Sequence, residues 1–434
     1  MTHRHERTLR VGSLARVEGE GAMHIRLDKG GRVEQARLEI YEPPRFFEAF
    51  LRGRAHTEAP DITARVCGIC PVAYQISACR AMEDACGVTV DGQLAELRRL
   101  LYCGEWIESH ALHVHLLHAP DFLGYASGIE MARDHRADVE RGLEIKKVGN
   151  ALMALVGGRA IHPVNVRLGG FHRVPTRREL TRFAPELRRA LDLALRTVIW
   201  VAGFDFPDVE ARHRLVAVDA GDRYPIDGGT RIGTDAGYGF WTSHFEDYVF
   251  ERQVPHSTAL YAELADGSTY LTGPLARYSL HSATLSEQAA TAARAAGLGA
   301  ECRNPFRSIV VRAVETVYAL EEALRIIEAY EPPDRAWVAV PPRAGRGTGV
   351  SEAPRGLLYH RYDLAADGTV HQARIVPPTS QNQAAIEAEL CALVEAHRDL
   401  DDAALTELCE QAIRNFDPCI SCSAHFLDLH LERS

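Results

Sequence analysis

The chain has 434 residues, of which 46% are hydrophobic and 25% are charged. This mixture is typical of globular proteins and excludes wholesale disorder and fibrous repeats. The formal net charge is −10, whereas a general nucleic-acid binder needs a basic surface. We therefore expect no nucleic acid as a partner.

No segment of the sequence resembles a membrane span or a signal peptide. The longest uncharged run, Val66–Cys79, is too short and too polar to cross a bilayer. The charged start of the chain is not followed by an apolar segment, so we expect no secretory signal. At roughly 150 residues per domain, the length predicts two or three folding units.

Hydrophobic periodicity predicts the elements of the first half, in chain order. Ala22–Leu27 and Arg32–Tyr41 alternate like strands and flank a turn at Asp28–Gly31. A short helix over about 44–52 follows. Longer helices are then predicted at Pro71–Cys86 (ended by Gly87), Leu94–Leu117, Arg136–Val156 and Arg177–Ala202.

The second half changes character twice. Residues 212–276 are Gly-rich and aromatic in short runs, which predicts a small β-containing insert. Helices return at 285–297 and 305–330, the latter with Asn304 as N-cap and Pro305 in its first turn. A hairpin is predicted between Gly356–Leu364 and Thr369–Val376, and a last helix at about Asp402–Asn415.

These elements predict an α+β fold. The expected architecture is a mostly helical body with small β pieces near the N-terminus, in the middle and before the C-terminus. We divide the chain into four parts of one compact unit: 1–65 (β-hairpin and short helix), 66–210 (helical bundle), 211–280 (β-containing insert) and 281–434 (helices and hairpin).

Two Cys-x-x-Cys pairs stand near opposite ends of the chain, Cys67 with Cys70 and Cys419 with Cys422. Such a turn places two sulfurs on one side of a tight bend, and four thiolates suit a soft metal such as zinc, iron or nickel. Three other interpretations stay open from spacing alone: a redox dithiol, a structural zinc site, and unrelated buried cysteines. Zinc ribbons usually place their pairs only 15–20 residues apart.

The residues around the pairs carry a family resemblance. Arg65–Cys70 (RVCGIC) and Asp417–His425 (DPCISCSAH) resemble the two signature motifs of the large subunit of nickel–iron hydrogenases. Further matching elements occur along nearly the whole chain: Arg16–Gly19, Pro44–Glu48 with Arg52–Arg54, His162–Asn165 with Gly169–Phe171, Gly273–Tyr278, Glu352–Gly356 and Val376–Thr379. The resemblance implies the catalytic subunit of a hydrogenase, which oxidises dihydrogen reversibly.

The resemblance also implies roles for the cysteines. Cys67 and Cys419 would be terminal nickel ligands, and Cys70 and Cys422 would bridge nickel to an iron that carries carbonyl and cyanide. Glu18 would take the proton that leaves the metal centre. Elementary chemistry agrees, because heterolytic cleavage of dihydrogen needs a metal to accept the hydride and a base to accept the proton.

A magnesium ion is expected beside this centre. The resemblance assigns its ligands to Glu48, His425 and a main-chain carbonyl near Ile375.

Four more residues are expected around the open metal position. Arg355 would lie over it and would be held by Asp417, since a buried arginine needs a carboxylate partner. Pro354 and Thr379 would line the pocket of the diatomic ligands.

The sequence departs from the family pattern at two places. Many members have histidine at the position of Tyr74, and many have aspartate at the position of Ser109. Both side chains are still capable of hydrogen bonding, but Tyr74 is no base at neutral pH. The motif around Tyr74 resembles the cytoplasmic, bidirectional branch that exchanges electrons with nicotinamide cofactors, the sulfhydrogenases.

Two other features have ordinary structural interpretations. The Gly-rich stretch Gly345–Gly349 is expected to be a flexible loop, since no strand-then-helix context supports a phosphate site. His110, His113, His115 and His118 are expected to pack within a helix, because no Glu-x-x-His accompanies them.

Partners follow from what the sequence lacks. No Rossmann-type glycine motif is found, and no cysteine spacing is left for an iron–sulfur cluster. We expect a small subunit with iron–sulfur clusters, flavin and iron–sulfur subunits that reduce NAD(P), and maturation factors. The location is expected to be cytoplasmic.

Two alternative functions remain. One is a scaffold subunit related to respiratory complex I, whose relatives have lost the cysteines. The other is a zinc-stapled binding protein. Family members commonly lose a tail after the last histidine, so Phe426–Ser434 is expected to be either removed in maturation or packed on the body.

Overall fold

The computed structural model describes residues 7–43 and 46–424. It has a mostly helical body with small sheets near the N-terminus, in the middle and before the C-terminal motif. The predicted α+β class is therefore confirmed. No helix in these two ranges combines the length and the apolar character that a bilayer crossing requires.

The N-terminal hairpin forms where the alternation predicts it. Three antiparallel strands are followed by two short helices: β1 (Arg7–Val11), β2 (Gly21–Leu27), β3 (Val33–Ile40), α1 (Phe47–Leu51) and α2 (Ala59–Thr63). The carboxylate of Asp28 closes the β2–β3 turn by accepting hydrogen bonds from the N–H groups of Gly30 and Arg32, at 2.7 and 2.9 Å.

The helical body is built around a few long helices. Its elements are α3 (Pro71–Cys86), α4 (Gly92–Leu112), a π-helical turn (His113–His118), α5 (Ala119–Leu123), α6 (Gly128–Met131), α7 (Arg136–Gly157), β4 (Val166–Arg167), β5 (Gly170–Phe171) and α8 (Arg177–Ala202). Gly87 ends α3 in the left-handed conformation, with φ of 69°, as the sequence predicts.

The helix predicted over Leu94–Leu117 changes its winding at His113. The π-turn precedes Pro120, which has no N–H to continue the regular ladder. Within the turn, His113 Nε2 lies 2.9 Å from the carbonyl oxygen of Arg414 and His118 Nε2 lies 2.9 Å from Asn415 Oδ1. The four histidines are buried within this packing, as expected.

The middle of the chain contains the expected β pieces. Its elements are β6 (Arg214–Asp219), β7 (Arg231–Thr234), β8 (Gly239–Trp241), α9 (Phe245–Tyr248), β9 (Val249–Arg252), β10 (Tyr261–Leu264), β11 (Tyr270–Leu271), α10 (Pro274–His281), α11 (Glu287–Ala295) and α12 (Ser308–Ala329). Asn304 caps a short turn before α12, where its Oδ1 accepts from the N–H of Phe306 at 3.0 Å.

The C-terminal part contains two elements that the sequence analysis missed. It comprises β12 (Gly345–Ala353), β13 (Gly356–Leu364), β14 (Val370–Val376), α13 (Pro378–Ala396), α14 (Asp402–Asn415) and α15 (Ile420–Ser423). The β13–β14 hairpin is confirmed, but β12 and α13 were not predicted.

The expectation of a flexible loop at Gly345–Gly349 is wrong, because this stretch is the start of β12. A Cβ at Gly347 would lie 2.1 Å from the carbonyl oxygen of Ala81, and a Cβ at Gly349 would lie 2.4 Å from that of Ser77. The glycines therefore let β12 lie directly against α3.

Replacing Gly347 by alanine should destabilise this contact. The added methyl group overlaps main-chain atoms of α3, and overpacking of this kind costs about 1–3 kcal/mol. We expect a lower thermal unfolding midpoint. Gly12→Ala is the matched control, since nothing lies within 4 Å of its added Cβ. Equal midpoints for the two variants would contradict the packing role of Gly347.

Five chain segments meet at one place in this fold. They are the loop before β2, the turn before α3, the β12–β13 turn, the start of α13, and the α14–α15 junction. The contacts described next join each of them to the second cysteine motif or to the first, so the fold assembles one buried site from both ends of the chain.

Candidate metal centre

The four cysteines of the two pairs come together. Cys67 Sγ lies 3.6 Å from Cys419 Sγ, and Cys70 Sγ lies 3.8 Å from Cys422 Sγ, although each of these two pairs is 352 positions apart in sequence. All four sulfurs lie within 4.8 Å of one another, and all four residues are buried. A pocket of four sulfurs is a donor set for a soft metal.

The first pair lies in a turn that enters α3. The N–H groups of Ile69 and Cys70 point at Cys67 Sγ, at 3.3 and 3.2 Å. The carboxylate of Glu105, from α4, accepts hydrogen bonds from the N–H groups of Val72 and Ala73 at 2.6 and 3.1 Å. Glu105 thus satisfies the free end of α3 and fixes the turn, a role that no sequence signal indicated.

The second pair follows the end of α14. Asp417 has a φ of 50°, the left-handed region, so the chain turns sharply away from the helix before Cys419. The N–H of Cys419 then donates to Thr379 Oγ1 at 2.9 Å, and the N–H of Ile420 donates to the carbonyl oxygen of Glu18 at 2.9 Å. These bonds tie the motif to α13 and to the N-terminal segment.

Electrostatics in the pocket favours ionisation of one thiol among the four. Hydrogen bonding from Cys419 lowers the pKa of Cys67 well below its usual value, and the charge of Arg355 acts in the same direction. Burial raises the pKa of Cys419 and that of Cys422. A bound cation would remove this penalty, since metal ligation requires thiolates.

Glu18 lies directly beside the sulfurs. Its Oε2 lies 3.1 Å from Cys419 Sγ and accepts a hydrogen bond from the N–H of Ser421 at 3.1 Å. The residue is half-buried, so its carboxylate joins the closed pocket to the region nearer the surface. This is the geometry required of a group that carries protons away from the sulfurs.

Arg355 and Asp417 form a buried pair. The Nε of Arg355 donates to the carbonyl oxygen of Asp417 at 2.9 Å, and its Nη2 donates to Asp417 Oδ1 at 3.2 Å. Burial opposes the charge of Arg355, but Asp417 and the cysteines raise its pKa well above the usual value, so it stays protonated. Within the described residues, Arg355 Nη1 and Asp417 Oδ2 have no hydrogen-bond partner.

A charged network that the sequence analysis did not identify holds the segment before Arg355. Arg277 donates two hydrogen bonds of 2.8 Å to the carboxylate of Glu315. It also donates to Glu352 and to the carbonyl oxygen of Pro354, both at 3.0 Å. Burial raises the pKa of Glu352 to about 7, whereas the pKa of Glu315 falls to about 2 because Arg277 outweighs its burial. In the sequence, the one signal for this network is the Gly273–Tyr278 motif, which contains Arg277.

The two positions that depart from the family pattern are both buried. Tyr74 lies edge-on to His360, with ring centroids 5.7 Å apart, and Ser109 lies on α4. Neither hydroxyl has a hydrogen-bond partner among the residues described. Buried polar atoms are normally paired, so the Tyr74 hydroxyl and Arg355 Nη1, both beside the cysteines, fit a pocket that receives a polar group.

The expected magnesium ligands are brought together in part. Glu48 Oε1 accepts a hydrogen bond from the N–H of Ile375 at 2.7 Å, so the carboxylate meets this residue through its N–H. Both residues line a cavity of about 250 Å³ that also reaches Cys422 and Ala424. His425 and the tail after it lie outside the described residues.

The donor set fits a soft-metal centre. Among residues 7–43 and 46–424, the four cysteines are the only group of three or more His, Cys, Asp or Glu side chains arranged to hold a metal ion. The cysteines outside this group are buried in the core, apart from Cys391, which is partly exposed.

Known protein families match the parts of the chain that form this site. A model of the nickel-dependent hydrogenase family matches residues 45–141 and 264–425, and a second, described as HoxL-like, matches residues 8–42. Sulfhydrogenase 1 subunit alpha of Pyrococcus furiosus is 34% identical over 427 residues, which covers 96% of this chain and 98% of that protein. Sulfhydrogenase 2 subunit alpha of the same organism is 34% identical, with 97% and 100% covered.

Among solved structures, the chain is similar to the crystal structure of an NAD+-reducing nickel–iron hydrogenase in the H2-reduced state. The TM-score is 0.86 and the sequence identity is 27%, with 96% of this chain and 99% of that chain covered. The regions matched by the family models contain all four cysteines and Glu18.

Proposed function

The chain belongs to the nickel-dependent hydrogenase family and is the catalytic subunit of a nickel–iron hydrogenase, and on this premise we propose how its residues divide the work. It oxidises dihydrogen reversibly to protons and electrons, and the electrons pass to an iron–sulfur partner and on to NAD(P). The convergence of four buried sulfurs from opposite ends of the chain is the observation that supports this most directly.

The resemblance to the family divides the four cysteines into two kinds of ligand. Cys67 and Cys419 form the closer cross-motif pair, at 3.6 Å, and would hold nickel as terminal ligands. Cys70 and Cys422 form the other pair, at 3.8 Å, and would bridge nickel and an iron that carries carbonyl and cyanide. When bound, such a centre takes up the electrons of dihydrogen and polarises it so that its protons can leave.

The residues of the chain then act on the protons and on the small ligands. Glu18, next to Cys419, accepts the proton and passes it outward. Arg355, fixed by Asp417, presents a permanent positive charge at the pocket. Pro354 and Thr379 would line the pocket of the diatomic ligands, and Thr379 also anchors Cys419.

We assign the magnesium ion to the region of Glu48 and Ile375. A carboxylate at the edge of a cavity is the hard oxygen donor that magnesium prefers. The remaining ligand would be His425, which lies outside the described residues.

The chain works with partner subunits, since its relatives are alpha subunits of larger hydrogenases. The partners proposed here are a small subunit with iron–sulfur clusters, subunits with flavin and iron–sulfur clusters that reduce NAD(P), and maturation factors. The similarity to an NAD+-reducing enzyme supports this choice. The cytoplasmic location proposed here rests on the resemblance to the sulfhydrogenases. Intact mass of the active protein would show whether residues 426–434 are removed.

The two alternative functions receive less support. A scaffold subunit related to respiratory complex I has no use for four converging thiols, and a zinc-stapled protein does not need a glutamate beside one of its sulfurs.

Hydrogen-dependent reduction of acceptors by the purified complex tests the proposal. We expect reduction of a viologen dye and of NADP or NAD under dihydrogen, and no reduction under argon. Reduction of the dye alone would contradict the nicotinamide acceptor. Failure to reduce either acceptor, in a complex that contains nickel, would contradict the proposed activity.

A further inference from the structure

Beyond Glu18, two more polar side chains, Ser421 and Glu42, are linked to it by hydrogen bonds. Ser421 follows the second cysteine motif, and its two polar groups contact two different carboxylates. Its N–H donates to Glu18 Oε2 at 3.1 Å, and its hydroxyl donates to Glu42 Oε2 at 2.9 Å. One serine therefore connects the carboxylate beside Cys419 with a second carboxylate, that of Glu42.

The two carboxylates of this series are more exposed than Cys419 and Ser421. Cys419 is 1% exposed and Ser421 is 6% exposed. Glu18 and Glu42 are both half-buried, and Glu42 follows strand β3 next to the exposed Tyr41. The series thus joins the closed pocket to a second carboxylate, that of Glu42, which is partly exposed to solvent.

The backbone is shaped to allow the close approach. Gly19 has a φ of 86°, and a Cβ there would lie 2.6 Å from Glu42 Oε2 and 2.8 Å from the nitrogen of Ser421. Only glycine leaves space for this arrangement. The N–H of Glu20 donates to the same Glu42 oxygen at 3.3 Å, and Thr258 holds the carbonyl oxygen of Glu42 at 2.8 Å.

We infer that Ser421 and Glu42 relay the proton between Glu18 and solvent. This inference rests on the proposed role of Glu18. The protonated carboxyl of Glu18 gives its proton to the hydroxyl oxygen of Ser421, directly or through one water, while that hydroxyl gives its own proton to the carboxylate of Glu42. Glu42 then releases the proton to water, so each group returns to its starting state and no other reactant is needed.

Isotope exchange measures this relay apart from electron transfer. The complete complex is exposed to D2 in ordinary water, and the rate at which deuterium is replaced by solvent hydrogen is followed. Infrared bands of the metal-bound diatomic ligands are recorded on the same samples, and they show whether the centre is intact.

Four variants separate the relay from a structural role. We expect Ser421→Ala and Glu42→Gln each to slow exchange about tenfold or more with the infrared bands unchanged. Ser421→Thr keeps a hydroxyl and should restore most of the rate. Glu20→Gln is the matched control, because Glu20 contributes only its main-chain N–H to this region, and its exchange should equal that of the unchanged complex.

Groups that act in series are not additive. The double variant of Ser421→Ala with Glu42→Gln should therefore exchange at a rate within about threefold of the slower single variant. If the double variant instead loses exchange rate by the product of the two single losses, the two residues do not share one path and the relay is contradicted.

The failures are distinguishable. Normal exchange in both Ser421→Ala and Glu42→Gln would overturn the relay and leave the role of Glu18 standing. If Ser421→Ala loses its infrared bands, Glu42→Gln decides, and normal exchange there with intact bands would overturn the relay. Absence of the bands in the unsubstituted complex would instead contradict the proposed metal centre itself.

Discussion

Replacing Cys419 by serine should abolish hydrogen turnover and remove most of the nickel, while the chain stays folded. Cys419 lies at the centre of the site, with its sulfur 3.6 Å from Cys67 and 3.1 Å from Glu18. A serine hydroxyl is a harder and far less acidic ligand than a thiol, so it does not replace a thiolate on a soft metal. The packing should be preserved, because serine differs from cysteine only by an oxygen in place of the sulfur.

Nickel content and viologen reduction under dihydrogen are the measurements. Cys391→Ser is the matched control, because Cys391 lies on α13, is partly exposed and belongs to no cluster of ligands in the described part of the chain. We expect the control to keep its nickel and its activity. Full nickel occupancy in Cys419→Ser would contradict the assignment of Cys419 as a terminal ligand.

Replacing Glu18 by glutamine should stop net turnover but leave the metals in place. Glutamine has nearly the same shape, so the hydrogen bond from the N–H of Ser421 and the main-chain bond to Ile420 can persist. It neither accepts nor releases a proton at working pH. General acid–base groups contribute about 10²–10⁴ in rate, and loss of the only exit costs at least as much.

Two readings from one sample decide the role of Glu18. The infrared bands of the diatomic ligands should persist, and hydrogen–deuterium exchange with solvent should collapse. Near-normal exchange would show that the proton leaves by another path, for which the neighbouring Glu20 is the first alternative. Loss of the bands would make Glu18 a structural residue and would contradict the proposed mechanism.

Local signals were sufficient to predict many elements. The bounds of α3 and α8 agree with the predicted ranges because both ends carry signals: Pro71 and Gly87 bracket α3, and Thr176 caps α8. The turn at Asp28 was equally predictable, because its carboxylate closes the turn within a few residues.

Long-range packing explains what was missed. The glycines of β12 predict a loop, but in the structure they allow the strand to contact α3, which lies far away in sequence. The start of α13 is polar and gives no apolar stripe, because its side chains bond across the core. Gln381 Nε2 donates to the carbonyl oxygen of Leu357 at 2.6 Å, and Asn382 Oδ1 accepts from the N–H of Thr272 at 2.9 Å.

The site shows the same limit. Spacing alone identified two cysteine pairs but not their meeting, which was expected only from the family resemblance. The supporting residues Glu105 and Arg277 act on chain segments more than thirty positions away, at Val72 and Glu315. Single positions in a sequence carry no signal for such contacts, so the structure was needed to find them.

Metal analysis of the purified chain tests the central claim, that the four converging cysteines hold a nickel–iron centre. Elemental analysis of the catalytic subunit, separated from its iron–sulfur partners, should find nickel and iron in about equal amounts, near one of each per chain, since a soft four-sulfur pocket selects such metals. Zinc in their place, or a folded and active chain without nickel, would contradict the account.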